Sequence, residues 1–223
     1  MPRRPPPQHS RRARRRGSSP PPEEATDPTS PPRIIGGDLR GRRLAFRPGG
    51  PTRPMKDRVR ETVFDLLGTA VRSAMVIDLF AGTGAIGFEA LSRGAATAVF
   101  AERHFPTADC LRRSAADLGL SDRVDIIAGD VLLWSRRLPP LRRERPWLIF
   151  VSPPWAMFAS HATDLNRLLQ TLAAEAPEAS RVIVESDLTL AAGQLPDRLT
   201  DRPGESDWDS RPVPPAVLHQ KRL

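Results

Sequence analysis

Tyrosine is absent from the 223 residues, cysteine occurs once, and aromatic residues make up only 5%. Without tyrosine, no proton relay through a phenol can operate. The single cysteine, Cys110, closes no internal disulfide and has no Cys or His at ligand spacing. Neither a disulfide scaffold nor a structural metal site is therefore expected, and the thiol is expected in the core. No run of about 18 apolar residues is present, which excludes a helix that spans a bilayer. The arginine-rich start lacks the apolar stretch of a secretory signal, and Glu23, Glu24 and Asp27 argue against a transit peptide. The cytoplasm is the expected location, with no membrane partner.

Positive charge is plentiful and unevenly placed. Residues 1–32 hold seven Arg against three acids, and residues 33–60 hold nine basic residues against two acids. The net charge is +8, so the chain beyond residue 60 sums to 8 − 4 − 7 = −3. A basic N-terminal third on a mildly acidic remainder suits a polyanion, whose phosphates supply affinity without sequence information. A solvated charged surface gives the same composition.

The length suits one domain with a full core plus a tail. Residues 1–32 contain ten prolines and no apolar periodicity, and so are expected to form a disordered Arg/Pro-rich tail. Residues 33–55 read as a basic hairpin and turn, with short strands broken by glycines. Val59, Val63, Leu66 and Leu67 repeat at helical spacing, predicting an amphipathic helix over Lys56–Leu67. Strands and helices then alternate: strand 75–80, helix 85–93, strand 98–102, helix 105–118, strand 124–128 and strand 147–152. A helix near 164–175 and a strand at 181–185 follow. This alternation predicts an α/β, Rossmann-like fold with a predominantly parallel sheet over residues 56–223. Past Leu190 the signal fades, because prolines interrupt what would be closing strands.

The chemistry-bearing residues sit where these strands end. The first strand runs into Asp78-Leu79-Phe80-Ala81-Gly82-Thr83-Gly84-Ala85-Ile86-Gly87, a glycine-rich turn that lets backbone approach a ligand at a helix start. Alone, the spacing of Gly82, Gly84 and Gly87 also fits a dinucleotide site. Asp78, however, would repel a pyrophosphate and suits the ammonium of a methionine moiety. Glu102 ends the second strand, where an acid can bind ribose hydroxyls of either cofactor class. Asp130, followed by Val131, ends the third and can accept from an adenine amine. Each acid taken singly is more often a cap or turn residue; three at successive strand ends point to a ligand. The fourth strand ends in Ser152-Pro153-Pro154-Trp155, whose prolines stiffen a loop at the sheet's carboxyl edge.

The order of these motifs resembles that of methyltransferases acting on exocyclic amines of bases, in which the last motif is Asp/Asn-Pro-Pro-aromatic. Arg33-Ile-Ile-Gly-Gly and Thr52-Arg-Pro-Met-Lys-Asp-Arg-Val-Arg-Glu-Thr-Val-Phe64 narrow the resemblance, over about residues 33–160, to the RsmD family, which methylates N2 of a guanine in 16S ribosomal RNA. The resemblance implies S-adenosyl-L-methionine as cofactor and ribosomal RNA or the small ribosomal subunit as partner. It further implies cofactor binding by Asp78, Phe80, Ala81, Gly82, Gly84, Gly87, Glu102, Asp130 and Val131, and catalysis by Ser152, Pro153, Pro154 and Trp155. Arg40, Arg42, Arg43, Arg53, Lys56, Arg58 and Arg60 are expected to contact phosphates. A monomer is expected.

In the family motif the Asp or Asn side chain accepts one amine hydrogen, the first proline carbonyl accepts the other, and the aromatic ring stacks on the extruded base. Ser152 departs from that pattern, being neutral and shorter in reach. If the lost charge acts in the transition state, its absence costs on the order of 10²-fold in rate. Three other readings follow. Ser152 and the basic tail suit a non-catalytic RNA-binding or assembly factor, the Pro-Pro-aromatic chemistry suits a DNA adenine-N6 methyltransferase, and a nicotinamide oxidoreductase would leave Ser-Pro-Pro-Trp unexplained.

Overall fold

The computed structural model describes residues 30–49, 55–138, 141–190, 194–200 and 206–223. The expected tail at 1–32 lies outside these residues except for its last three, as does Arg53.

Helix α1 (Asp57–Leu67) precedes an alternating series: β1 (Met75–Leu79), α2 (Ala85–Ser92), β2 (Thr97–Glu102), α3 (Phe105–Asp117), β3 (Val124–Ala128) and α4 (Val131–Trp134). The chain continues through β4 (Trp147–Val151), α5 (Met157–Ser160), α6 (Ala162–Glu175), β5 (Arg181–Asp187), β6 (Asp209–Val213) and β7 (Ala216–Arg222). The strands form one sheet in the order β3-β2-β1-β4-β5-β7-β6. Strands β1 to β5 pair in parallel, and β7 joins β5 and β6 antiparallel.

All five residues of β1, Met-Val-Ile-Asp-Leu, and all five of β4, Trp-Leu-Ile-Phe-Val, are buried. Strands covered on both faces read as continuous apolar runs. Because side chains alternate across a strand, Val76, Leu148 and Phe150 face one core, shared with α1, α2 and α3. Met75, Ile77, Trp147 and Ile149 face the other, filled by Leu165, Leu168, Leu169 and Leu172 of α6. Fully burying each such side chain contributes about 1.5–3 kcal/mol relative to exposure, which holds the sheet between its helices and fixes where its carboxyl edge opens.

The basic segment before α1 is docked onto the first core. A single antiparallel bridge, Arg33 to Arg43, closes it, and Ile34 and Leu44 are buried among the α1 and α2 side chains. Three backbone N–H groups are satisfied by side chains of the domain: Ile35 donates to Glu89 Oε2 (2.7 Å), Leu39 to Ser92 Oγ (2.9 Å) and Ala45 to Ser114 Oγ (2.9 Å). The arginines between these anchors stay exposed.

Past Leu190, where the sequence signal fades, β6 and β7 complete the sheet. Pro212 is tolerated because β6 is the outermost strand, where a missing ladder donor is least costly. Among the described residues no helix is long and apolar enough to cross a membrane.

Candidate active site

The strand order reverses between β1 and β4: β2 and β3 extend to one side of β1, and β4 and β5 to the other. Ligands of open α/β sheets bind outside the carboxyl ends of the strands at such a point. Here the edge holds a cavity of about 380 Å³. It brings together the first-strand turn (Asp78, Phe80, Ala81, Gly82), Glu102, Asp130 with Val131, and the loop Ser152 to Trp155. Residues separated by up to 77 positions in the chain thus share one wall.

One half of the cavity is organised by backbone N–H groups. Glu102, 8% exposed, accepts from Gly82 N–H through Oε2 (2.8 Å) and from His104 N–H through Oε1 (2.7 Å). Each oxygen keeps a second lone pair for a ligand hydroxyl. Asp78, 2% exposed, accepts from Gly87 N–H at 3.2 Å. Burial raises its carboxyl well above the ordinary range; the Gly87 bond opposes that rise, and the nearby Glu102 charge adds to it. A buried carboxylate in that state favours a cation in the cavity. Asp130 caps α4, with Oδ1 accepting from Leu132 (2.8 Å) and Leu133 (3.4 Å). It is a helix cap by geometry and a cavity residue by position.

Gly84 and Gly87 lie behind the wall. Gly84 has φ +71°, the left-handed region that favours glycine. A Cβ on Gly87 would lie 2.3 Å from Phe100 Cε1 and 3.0 Å from Asp78 Oδ2. Gly87 thus permits the contact between α2 and β2 that brings its N–H to Asp78. Phe80, at φ +60°, is a bulky residue in the same strained region, and such strain concentrates at functional sites.

The other half is more open. Pro153 is buried, Ser152 is half-buried, and Trp155 is 39% exposed, with its ring beside the cavity mouth. Glu185 of β5 lines the same space, one strand over from Ser152 in register. Burial pushes the Glu185 carboxyl up, and the neighbouring Ser152 hydroxyl partly offsets this. Sequence reasoning missed Glu185, although it is an acid near the end of the fifth strand and the pattern that singled out Glu102 applies to it. Pro215 and Ala216, from the turn between β6 and β7 and the start of β7, close the flank.

The basic residues divide. Arg40, Arg42, Arg43, Lys56 and Arg58 are exposed; Lys56 also lines the cavity, and Arg42 Nη2 donates to the Asp117 carbonyl (2.7 Å). Arg60 is a correction to the expected phosphate contacts, being 0% exposed. Its Nη2 donates to the Arg33 carbonyl (3.0 Å) and to Asp57 Oδ1, so it anchors the docked segment to α1 and cannot reach a phosphate. Its Nε and Nη1 have no partner among the described residues. Also among the described residues, no group of His, Cys, Asp and Glu is arranged to hold a metal.

Known proteins share this arrangement. Residues 32–202 match the family model described as conserved hypothetical protein 95. Ribosomal RNA small subunit methyltransferase D of Escherichia coli K12 is 36% identical over 55% of this chain and 60% of its own length. The protein of that name from Buchnera aphidicola is 33% identical over 55% of this chain and 62% of its own. The chain therefore spans less than two thirds of the length of these curated relatives. The solved structure of yhhF from E. coli, 27% identical, superposes with a TM-score of 0.67 over 86% of this chain and 98% of that one. With the family model covering the docked segment, the sheet through β5 and every wall of the cavity except the β6–β7 turn and Ala216, the chain belongs to the conserved hypothetical protein 95 family, the RsmD family.

Proposed function

We propose that this protein transfers a methyl group from S-adenosyl-L-methionine to the exocyclic N2 amine of a guanine in small-subunit ribosomal RNA. The observation that carries the reading is the single cavity in which the acids at three strand ends meet the Ser152–Trp155 loop. The names of the E. coli and Buchnera relatives support methyl transfer to small-subunit ribosomal RNA.

The residues fit the cofactor. A buried Asp78 raised by desolvation regains its charge beside an ammonium group. Glu102, held by two backbone N–H groups, presents its remaining lone pairs to ribose hydroxyls. Asp130 and Val131 would hold the adenine, with one Asp130 oxygen already engaged in its cap. When bound, the cofactor supplies an electrophilic methyl on sulfur. Pro153 offers its carbonyl to one amine hydrogen, Ser152 its hydroxyl oxygen to the other, and Trp155 its ring face to the extruded base. Much of the acceleration comes from alignment of the amine with the methyl. The exposed Arg40, Arg42, Arg43, Lys56 and Arg58 would contact phosphates, Lys56 from the cavity wall.

The test is transfer of labelled methyl to small-subunit RNA and particles, with nucleoside analysis of the product. N2-methylguanosine is the expected product; N6-methyladenosine in DNA would replace the substrate assignment. The neutral Ser152 favours a second reading, an RNA-binding assembly factor without turnover. RNA and cofactor binding with no methylated product would establish it.

A further inference from the structure

Ser152 leaves the open half of the cavity without a charge beside the amine, and the neighbouring strand supplies one. Val151 of β4 pairs in register with Val184 of β5, so the next residues, Ser152 and Glu185, stand side by side at the carboxyl edge. Both line the cavity, which sets the Ser152 hydroxyl beside the Glu185 carboxylate. On the far side Glu185 faces Leu218 of β7, which brings no charge. Among the described residues no basic side chain forms an ion pair with Glu185. The carboxylate is thus half-buried, without an ion-pair partner among the described residues, and next to the residue where the motif lacks its acid.

Resting on the methyltransferase reading, we propose that Glu185 is a positioning residue of the reaction, acting through Ser152. With its hydrogen held by Glu185, the Ser152 hydroxyl turns a lone pair of Oγ toward the amine. When the amine nitrogen takes the methyl, an N–C bond forms, a C–S bond breaks with its electron pair left on sulfur, and nitrogen carries one proton in excess. That proton passes to Ser152 Oγ while the hydroxyl proton passes to Glu185, which returns it to solvent after product release. The carboxyl raised by burial suits this exchange, since a proton acceptor works best when its pKa lies closer to the operating pH.

The experiment measures kcat, KM for RNA and cofactor affinity for the wild type, Glu185→Gln, Ser152→Asp and the double variant. Glu185→Gln is expected to lower kcat by about 10²-fold with KM and cofactor affinity nearly unchanged. Adding Ser152→Asp to Glu185→Gln restores at least about tenfold, because the charge is then carried one strand over, whereas Ser152→Asp alone sets two carboxylates together and gains nothing. If Glu185→Gln does not fold, Ser152→Ala carries the test and must lose a comparable part of kcat. Wild-type kcat in Glu185→Gln or in Ser152→Ala, or a double variant no better than Glu185→Gln, overturns the inference alone. No methyl transfer by the wild type, with cofactor bound, overturns the proposed activity and this inference with it.

Discussion

The two halves of the cavity are built differently. Around Asp78 and Glu102 the functional oxygens are held by backbone N–H groups of Gly82, Gly87 and His104, all fixed by packed strands and helices. Around Ser152 and Trp155 the polar groups are the side chains of Ser152 and Glu185, and the aromatic ring stands partly in solvent. Backbone donors are already in place before a ligand arrives, so binding to them costs little reorganisation. On the proposed function, the preorganised half is the one that takes the cofactor and the more solvent-exposed half the one that takes the base, which separates affinity for one from turnover of the other.

The sharpest way to break this comparison is Asp78→Asn. On the proposed function, loss of the charge that would meet the cofactor ammonium is expected to weaken cofactor binding by about 10–100-fold, the range for a charged hydrogen bond, as read by calorimetry. RNA affinity should be unchanged. The raised Asp78 carboxyl also fixes a pH sign. Its contribution to folding is fully present below the unfolded carboxyl value and is lost as pH rises through the raised folded value. Asp78→Asn in the free protein should therefore be at least as stable as the wild type at neutral pH. Cofactor affinity of the wild type should rise over the same window, because the ionised form is the one that binds.

A smaller effect separates Arg60 from Arg58, two residues apart on α1. Arg60→Ala removes a buried cation from Asp57 and from the Arg33 carbonyl and is expected to cost about 3 kcal/mol of unfolding free energy. Exposed Arg58→Ala should leave stability within about 0.5 kcal/mol and reduce the salt dependence of RNA binding by about one counterion. Denaturant titration and binding at several salt concentrations check both. A salt slope that falls with Arg60→Ala at intact stability would reverse the assignment.

The parallel half of the fold is readable from the sequence because burial on both faces writes strands such as Met75–Leu79 and Trp147–Val151 as apolar runs. The edge β6 is not, since four of its five residues are exposed and it carries Pro212. Asp78, Glu102, Asp130 and the Ser152–Trp155 loop are legible as candidates because they punctuate strand ends, and the sheet order places them together. Arg60 is misread because its charge suggests a solvated face. Yet Arg60, Val63, Phe64 and Leu67 lie at i, i+3, i+4 and i+7, a spacing that places it on the buried stripe of α1. Glu185 is within reach of the same strand-end pattern, since the expected strand 181–185 ends on it; only its placement beside Ser152 depends on the register of β5 against β4, which no local pattern encodes.

The most direct measurement of the divided cavity is Trp155→Ala, assayed for cofactor affinity and for methyl transfer on the same preparation. The account predicts cofactor affinity within about twofold of wild type and a loss of kcat of about 10²-fold, as stacking of the extruded base is removed. A variant that loses cofactor affinity in proportion to its activity, or that methylates RNA at the wild-type rate, would contradict it.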